Sequence, residues 1–344
     1  MRITLIILGV IAIILIAARI YLPFFLENQI DKSISEMEDL SGGVGNVSLG
    51  IIRGNARLSD LVIYNEEYPD PSIPFVSVAS TEILVDWGAL FNRKLVATVN
   101  IDSVVVNYVI YEEVEPEEVD LVAMLRELMD FQIDLNITNS EVNFVDITTD
   151  PQIDVSFGDI FVAARYLTNE IHTNDTLPAT ITMSAVVMGT GSVSAGLGIN
   201  YMKEIPDFEL ELELENVDLT DFNELARSYG GFEIESGSFH LYTEAAANEG
   251  FMKGYMKPLL GEIDIGSADA DLLQQFYEAA LDATATVLES PDEGYIATRI
   301  EFEGEIDDPD VRVLNAIWNL LRNAFIDGFS RGIENAVDFE DLTD

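Results

Sequence analysis

The feature that most constrains the fold of this sequence is the alternation of apolar and polar residues along most of its length. In the stretch DFELELELEN, Asp207–Asn216, phenylalanine or leucine occupies every second position and glutamate occupies the positions between them. Neighbouring side chains of a β-strand point to opposite faces, so such a strand has one apolar face and one acidic face. The acidic face meets water, and the apolar face must be covered by a core, a helix, a partner or acyl chains.

The same period of two recurs in many other segments, which predicts a mainly β, mostly antiparallel protein. Between residues 76 and 110 the alternating positions are Val76 and Val78; Ile83, Val85 and Trp87; Leu95, Ala97, Val99 and Ile101; and Val104, Val106, Tyr108 and Ile110. Later ones include Phe131, Ile133, Leu135 and Ile137; Val142 and Phe144; Ile181, Met183, Ala185 and Val187; and Val193, Ala195, Leu197 and Ile199. Turn residues separate these runs, and we interpret Asn139-Ser140 and the GTGS segment as turns between strands.

Two longer segments break this period and favour helices. Pro116–Asp130 begins with a proline and two glutamates, which suit the first turn of a helix. Leu314–Phe329 carries one apolar stripe, which fits a helix packed on the sheet or a helix that binds a partner or a membrane. The predicted organisation is a membrane anchor at 1–26, an N-terminal β region at 27–115, a short helix at 116–130, a main β region at 131–265, a C-terminal helix–strand–helix unit at 266–334 and an acidic tail at 335–344.

The N-terminus predicts a membrane anchor, with positions such as Ile3, Leu8, Ile14 and Ala18 in the bilayer. A membrane-spanning helix needs roughly 20 residues, and the following Arg19 and IYLPFFL segment extend the apolar run to that length. A cleaved signal peptide is the alternative, although the small residues that a cleavage site requires are poorly placed. Arg2 favours an N-terminus in the cytoplasm and a body on the far side of the membrane. A short helix at 23–40 then leads off the membrane.

The charge balance excludes some classes of function. The chain has 62 acidic and 17 basic residues, a formal net charge of −45, and no basic cluster of the kind that nucleic-acid binding requires. The acidity fits either the solubility of a sheet-rich protein or life in high salt. Cysteine is absent, so disulfides, thiolate catalysis and Cys-zinc sites are excluded.

No catalytic or metal-binding motif emerges from the sequence, and we predict neither an enzyme nor a cofactor. The two histidines, His172 and His240, lack the spacing of a metal site. Two acidic segments, DITTDPQID and DIGSADAD, are candidates for calcium-binding loops, but neither has the central glycine and distal glutamate of an EF-hand. The GTGS segment does not match a phosphate-binding loop.

Several segments resemble the AsmA-like superfamily of bacterial envelope proteins, in particular the branch catalogued as a domain of unknown function. The similar segments are LSDLVIYN and VDWGALFNRKLVATVNIDSVVVNY near the start, ELENVDLTDFNELARSYGGFEIESGSFHLYTEA in the middle, and GFMKGYMKPLLGEIDI and IATRIEFEGEIDDPDVRVLNAIWNLLRNAFIDGF towards the end. The resemblance implies a single inner-membrane anchor and a periplasmic body. It also implies a curved β-sheet that forms a groove or open barrel with a hydrophobic interior, and a role in lipid transport or envelope assembly.

On this basis we expect the apolar face to bind the acyl chains of membrane lipids, and other envelope proteins are a further class of partner. The expected lipid-binding residues are Leu135, Met183, Leu197, Phe208, Leu210, Leu212 and Leu214. Two alternatives remain open at this point. The first is a scaffold with a closed, dry core, and the second is a metal-dependent enzyme that uses the abundant acidic residues.

Overall fold

The computed structural model describes residues 21–37, 39–50, 52–111, 129–170, 177–203, 205–230, 233–266, 286–290 and 295–305. These residues form one open, curved sheet of 13 strands whose spatial order follows the chain, except that β13 lies between β11 and β12. The strands are β1 Leu40–Gly50, β2 Asn55–Asn65, β3 Val76–Val85, β4 Leu95–Ile110, β5 Phe131–Asp146, β6 Ile153–Thr168, β7 Ala179–Val187, β8 Gly191–Asn200, β9 Asp207–Asp218, β10 Glu233–Asn248, β11 Phe251–Gly266, β12 Thr286–Ser290 and β13 Tyr295–Glu305. The mainly β prediction is therefore confirmed.

Helices are short in the described residues. Helix α1 spans residues 21–35 and packs against β1, where Ile34 is buried and the Asp31 Oδ1 atom accepts a hydrogen bond from the Val44 amide at 3.0 Å. Helix α2, Trp87–Phe91, joins β3 to β4. No helix in the described ranges is long and apolar enough to cross a membrane. The predicted anchor Ile3–Ala18 lies outside those ranges, as do the predicted C-terminal helices and acidic tail.

Strands β4 and β5 pair in parallel, whereas the other neighbouring strands described pair antiparallel. The two strands have similar sequences: VNIDSVVVNYV at 99–109 lies beside LNITNSEVNFV at 135–145. Like side chains therefore adjoin: the Asn136 amide donates to Asn100 at 2.7 Å, and the rings of Tyr108 and Phe144 stack with centroids 5.8 Å apart. This parallel pair is the exception in a described sheet that is otherwise antiparallel, which agrees with the prediction of a mostly antiparallel sheet. Most of the predicted helix at 116–130 lies outside the described residues.

In each of the first six strands, one residue interrupts the regular pairing with the neighbouring strands. The alternation of apolar and polar residues changes by one position at that residue. The row of interruptions consists of Gly45, Asp60, Ala79, Ser103, Asn139 and Asp159. Asp60, Ser103, Asn139 and Asp159 have left-handed φ values of 55°, 56°, 53° and 49°, a conformation that asparagine and aspartate adopt more readily than most residues. At each interruption the side-chain alternation moves by one position without ending the strand, and the pairing register from β1 to β5 is the same on both sides of it. Only between β5 and β6 does the register also shift, as at a β-bulge.

The interpretation of Asn139-Ser140 as a turn is consequently wrong. β5 continues through both residues, and β4 likewise joins the two apolar runs that the sequence places on either side of Ser103. In β4 the apolar positions change from odd to even numbers at Ser103, and in β5 they change at Asn139. A polar residue where the apolar period changes can therefore be either a turn between two strands or an irregular residue within one continuous strand. The pairing with neighbouring strands determines which of the two forms.

Ser140 bridges the gap that the interruption leaves between β4 and β5. Its side chain is buried, with 4% exposure, and its Oγ atom accepts from the Val104 amide at 3.0 Å and donates to the Thr138 carbonyl at 2.9 Å. We expect Ser140→Ala to lower the free energy of unfolding by about 1–3 kcal/mol, because the Val104 amide loses its partner. Urea denaturation measures the effect, with the exposed Ser194→Ala as the control. Equal stability of the two variants would refute this role of Ser140.

A helical insert at residues 219–230 joins β9 to β10 and packs over one end of the sheet. It comprises a 3₁₀ turn Leu219–Phe222, a short α-helical turn Asn223–Leu225 and a π-helical turn Ala226–Gly230. Asp218 caps it by accepting from the Thr220 amide at 2.9 Å, and Phe222 is buried in a cluster with Val155 and Phe157 of β6. Because β6 lies several strands away from β9, this insert covers that end of the sheet from β6 to β11.

Candidate functional site

The strand register places an unbroken row of apolar and glycine residues on one face of the sheet, from β1 to β13. Its members, each the cross-strand neighbour of the next, are Leu49, Ala56, Ile83, Val99, Leu135, Ala164, Ile181, Leu197, Leu210, Ala245, Gly254 and Phe302. We call this side of the sheet the apolar face. Gly254 allows the Phe302 ring to lie against the backbone, since a Cβ atom at Gly254 would be 2.6 Å from Phe302 Cζ.

A second row, two residues further along each strand, has nearly the same character. It contains Val47, Leu58, Thr81, Ile101, Ile137, Val162, Met183, Ala195, Leu212, Thr243 and Met256. Two threonines are the polar members of this row. The apolar face is therefore a broad surface that extends along the strands as well as across them.

The opposite side, which we call the polar face, has a different composition at the same level. Between the two apolar rows it carries Ser48, Arg57, Glu82, Asn100, Asn136, Ala163, Thr182, Gly196, Glu211, Glu244, Tyr255 and Glu301. Arg57 contacts Glu82 at 3.0 Å, and the Arg299 guanidinium lies 3.8 Å from the centre of the Tyr255 ring. The contrast between the two faces runs across the whole sheet.

All seven residues predicted to bind lipid lie on the apolar face. Leu135, Leu197 and Leu210 belong to the first row, and Met183 and Leu212 to the second. Leu214 is paired with Val193 and Leu241, and Phe208 with Ile199 and Ala247. Contact with lipid itself stays a prediction. Sequence reasoning missed the members in β1 and β2, because SGGVGNVS has too many glycines to read as a strand.

The two ends of the apolar face are packed, and its middle is partly open. One packed cluster, beneath the helical insert, includes Val217 and Ile234, and the other, at the opposite end of β8 to β10, includes Phe208 and Leu210. Phe208 is 2% exposed and Leu210 7% exposed. By contrast, Leu135, Met183, Leu197, Leu212 and Leu214 are only half-buried. Of these five, Leu212 and Leu214 pack against the first cluster and Leu197 packs against the second. Leu135 and Met183 belong to neither cluster and lie where the apolar face is still accessible.

A cavity of about 530 Å³ lies chiefly on the polar side of β9, β10, β11 and β13. Its carboxylates are Glu209, Glu211, Glu244, Glu301 and Glu303, with Lys253, Arg299 and Tyr255 among them. A hydrogen bond with Glu244 is the main cause that raises the pKa of Tyr255. Among the described residues, no group of three histidine, cysteine, aspartate or glutamate side chains has a geometry suited to a metal ion.

The other perturbed pKa values have local structural causes. Hydrogen bonds from Asn139 and then Thr138 lower the pKa of the half-buried Asp102, beside the row of interruptions. Burial raises the pKa of Tyr68, whose hydroxyl donates to the Asn107 carbonyl at 2.9 Å and accepts from the Val109 amide at 3.1 Å. Tyr68 thus completes backbone hydrogen bonding, and Asp102 binds side chains of the neighbouring strand β5.

Two of the residues considered for metal binding, Asp146 and His240, have structural partners. Asp146 Oδ1 accepts from the Thr148 amide at 2.9 Å and from its hydroxyl at 2.6 Å, which closes a turn after β5. His240 Nδ1 accepts from the Asn216 amide at 3.3 Å. His172 lies outside the described residues.

Comparison with protein-family models finds no match for this chain, and comparison with curated proteins also finds none. The distribution of side chains over the two faces of the sheet is therefore the basis for assigning a function.

Proposed function

We propose that the protein binds the acyl chains of membrane lipids on its apolar face and contributes to lipid transport or envelope assembly. In this proposal Ile3–Ala18 anchors it in the inner membrane and the body lies in the periplasm. The observation that carries the proposal is the first apolar row, which continues from Leu49 in β1 to Phe302 in β13 without a polar side chain.

An acyl chain matches this surface in shape and in chemistry. Adjacent strands lie about 4.8 Å apart, so an apolar row across many strands is long and narrow. An acyl chain is also long and narrow, and it needs no hydrogen-bond partner. Each buried methylene contributes about 0.8 kcal/mol, so a chain of a dozen methylenes supplies on the order of 10 kcal/mol before the cost of ordering it.

Partial exposure distinguishes this face from an ordinary core. Leu135, Met183 and Leu197 are half-buried although they occupy the centre of the apolar rows. Large exposed apolar surfaces in soluble domains usually mark contact with a ligand, a partner or a membrane. A scaffold with a closed core remains the competing proposal, and it requires these positions to be sealed by protein.

Two neighbouring residues on opposite faces provide a matched test. Met183 belongs to the second apolar row, and Thr182 is exposed on the polar face of the same strand. We expect Met183→Glu to reduce the lipid bound per protein about tenfold or more, since an unpaired charge among acyl chains is strongly disfavoured. Thr182→Glu adds the same charge to the same strand, and this variant should bind as much lipid per protein as the wild type.

The measurement is native mass spectrometry of the full chain, which counts bound lipid, with a thermal melt of each variant to establish folding. Loss of lipid in Met183→Glu alone supports the proposal. Lipid absent from the wild type, or present equally in both variants, would favour the closed scaffold.

A further inference from the structure

One end of the sheet exposes apolar and basic side chains together. At this end the turn that includes residues 52–54 joins β1 to β2, and residues 86–94 join β3 to β4. The exposed fraction is 85% for Ile52, 84% for Phe91 and 38% for Trp87. Arg53 and Arg93 are also exposed. We call the group Ile52, Arg53, Trp87, Phe91, Arg93 and Lys94 the basic rim.

The two loops form a single surface because Trp87 packs against the other turn. A Cβ atom at Gly54, which has a φ of +69°, would lie 3.0 Å from the Trp87 Nε1 atom, so the indole rests on that glycine. Trp87 and Phe91 lie on the same side of α2, with ring centroids 6.3 Å apart. The backbone of the turn is tied to β3, since the Val85 amide donates to the Gly54 carbonyl at 2.7 Å.

The local charge of the rim differs from that of the chain. The chain as a whole has 62 acidic and 17 basic residues. The two loops contain the bases Arg53, Arg93 and Lys94 and a single acid, Asp86, whose carboxylate caps α2 by accepting from the Ala89 amide at 3.1 Å. Lys94 pairs with Glu170 of the next loop at 2.5 Å, and Asp130 lies exposed beside it. Of the three bases in the two loops, Arg53 and Arg93 are exposed.

We propose that the basic rim docks on the surface of an anionic lipid bilayer. Tryptophan and phenylalanine are favoured at the boundary between headgroups and acyl chains, and arginine reaches the lipid phosphates while its stem stays in the apolar layer. The acidic remainder of the body is repelled by the same surface, so the molecule contacts the bilayer end-on. The partner is identified by charge: an anionic surface complements the rim and repels the rest of the chain.

Docking at this end also places the start of the apolar face next to lipid. Leu49 and Ala56 flank the turn between β1 and β2, and Val85 precedes Asp86, the cap of α2. Passage of an acyl chain onto the apolar face at this point rests on the proposed function. Docking of the rim does not, because it depends on the loops alone.

Fluorescence of Trp87 in the full chain tests the proposal. The chain has two tryptophans, so Trp318→Phe leaves Trp87 as the only one. The protein is reconstituted in vesicles whose lipids carry brominated acyl chains, either phosphatidylcholine alone or phosphatidylcholine with phosphatidylglycerol. We expect a blue-shifted, quenched emission in the anionic vesicles, and less quenching as salt is raised.

Charge reversal at Arg53→Glu with Arg93→Glu should weaken insertion of the rim about tenfold or more and bring quenching down to the level in phosphatidylcholine. Ile52→Ser with Phe91→Ser should have a similar effect. Ile73→Ser, an exposed isoleucine in the loop at the opposite end of the strands, should leave quenching unchanged.

Unquenched Trp87 in anionic vesicles would overturn the proposal, as would quenching that survives the two arginine substitutions. The rim variants should still carry the wild-type number of lipids by native mass spectrometry. Failure of docking is thereby separated from failure of acyl-chain binding, which Met183→Glu tests.

Discussion

Replacement of Phe208 by alanine is expected to lower the free energy of unfolding by about 3–5 kcal/mol. The Phe208 side chain is 2% exposed and lies on the apolar face between Ile199 of β8 and Ala247 of β10. Its neighbours are held by strand pairing and cannot collapse into the space that the ring leaves, so the substitution combines lost burial with a cavity. Urea denaturation of the full chain measures the change.

Phe91→Ala is the matched control, because it removes the same side chain from a position that is 84% exposed. A surface substitution of this kind should change the free energy of unfolding by no more than about 0.5 kcal/mol. Similar values for the two variants would mean that the Phe208 end of the apolar face is not a packed core. The accessible middle of the face could then no longer be treated as distinct from its ends.

The alternation of side chains predicts a large part of the sheet. DFELELELEN forms most of β9, the YIATRIEFEGE segment forms β13, and GTGS contributes to the turn between β7 and β8, as expected. In these segments the period of two is uninterrupted, and local pattern and tertiary pairing agree. The predicted face of the candidate residues follows directly from that period.

The sequence is less informative where the period shifts or glycine dominates. β1 is held by pairing with β2, although its own residues have little preference for a strand. At Ser103 and Asn139 a left-handed residue keeps a strand continuous where the local pattern suggests two. The parallel pairing of β4 and β5 sets similar segments side by side at a separation of 36 positions, such as Asn100 beside Asn136, and no local pattern of either strand indicates it.

The degree of burial along the apolar face could not be predicted either. Phe208 and Leu212 belong to one alternating run, yet of these two only Phe208 is fully buried, in a cluster that also contains Ala179 and Ala247. The sequence does not predict the helical insert either, since its three successive turns are too short to produce a helical period. Which apolar residues are covered is decided by distant parts of the chain.

Asp207 shows that a single carboxylate among many can be structural, and its removal should destabilise the protein by about 3 kcal/mol. The Asp207 side chain is 5% exposed, its Oδ1 atom accepts from the Glu249 amide at 2.9 Å, and its Oδ2 atom contacts Lys203 Nζ. It therefore joins the start of β9 to the turn between β10 and β11. Asp207→Ala leaves the Glu249 amide without this acceptor and the mostly buried Lys203 without this counter-charge. The 22% exposure of Lys203 keeps the expected loss at the lower end of the range for buried pairs.

The high net negative charge makes a charge-matched control necessary for this variant. Removal of any carboxylate from a chain of net charge −45 relieves some repulsion, which offsets part of the loss. Asp154→Ala removes the same charge from an exposed position on β6 and measures that offset. We expect the difference between Asp207→Ala and Asp154→Ala to persist at high salt, because salt screens exposed charges much more than buried contacts. A difference that disappears as salt is raised would show that Asp207 acts only as one more surface charge.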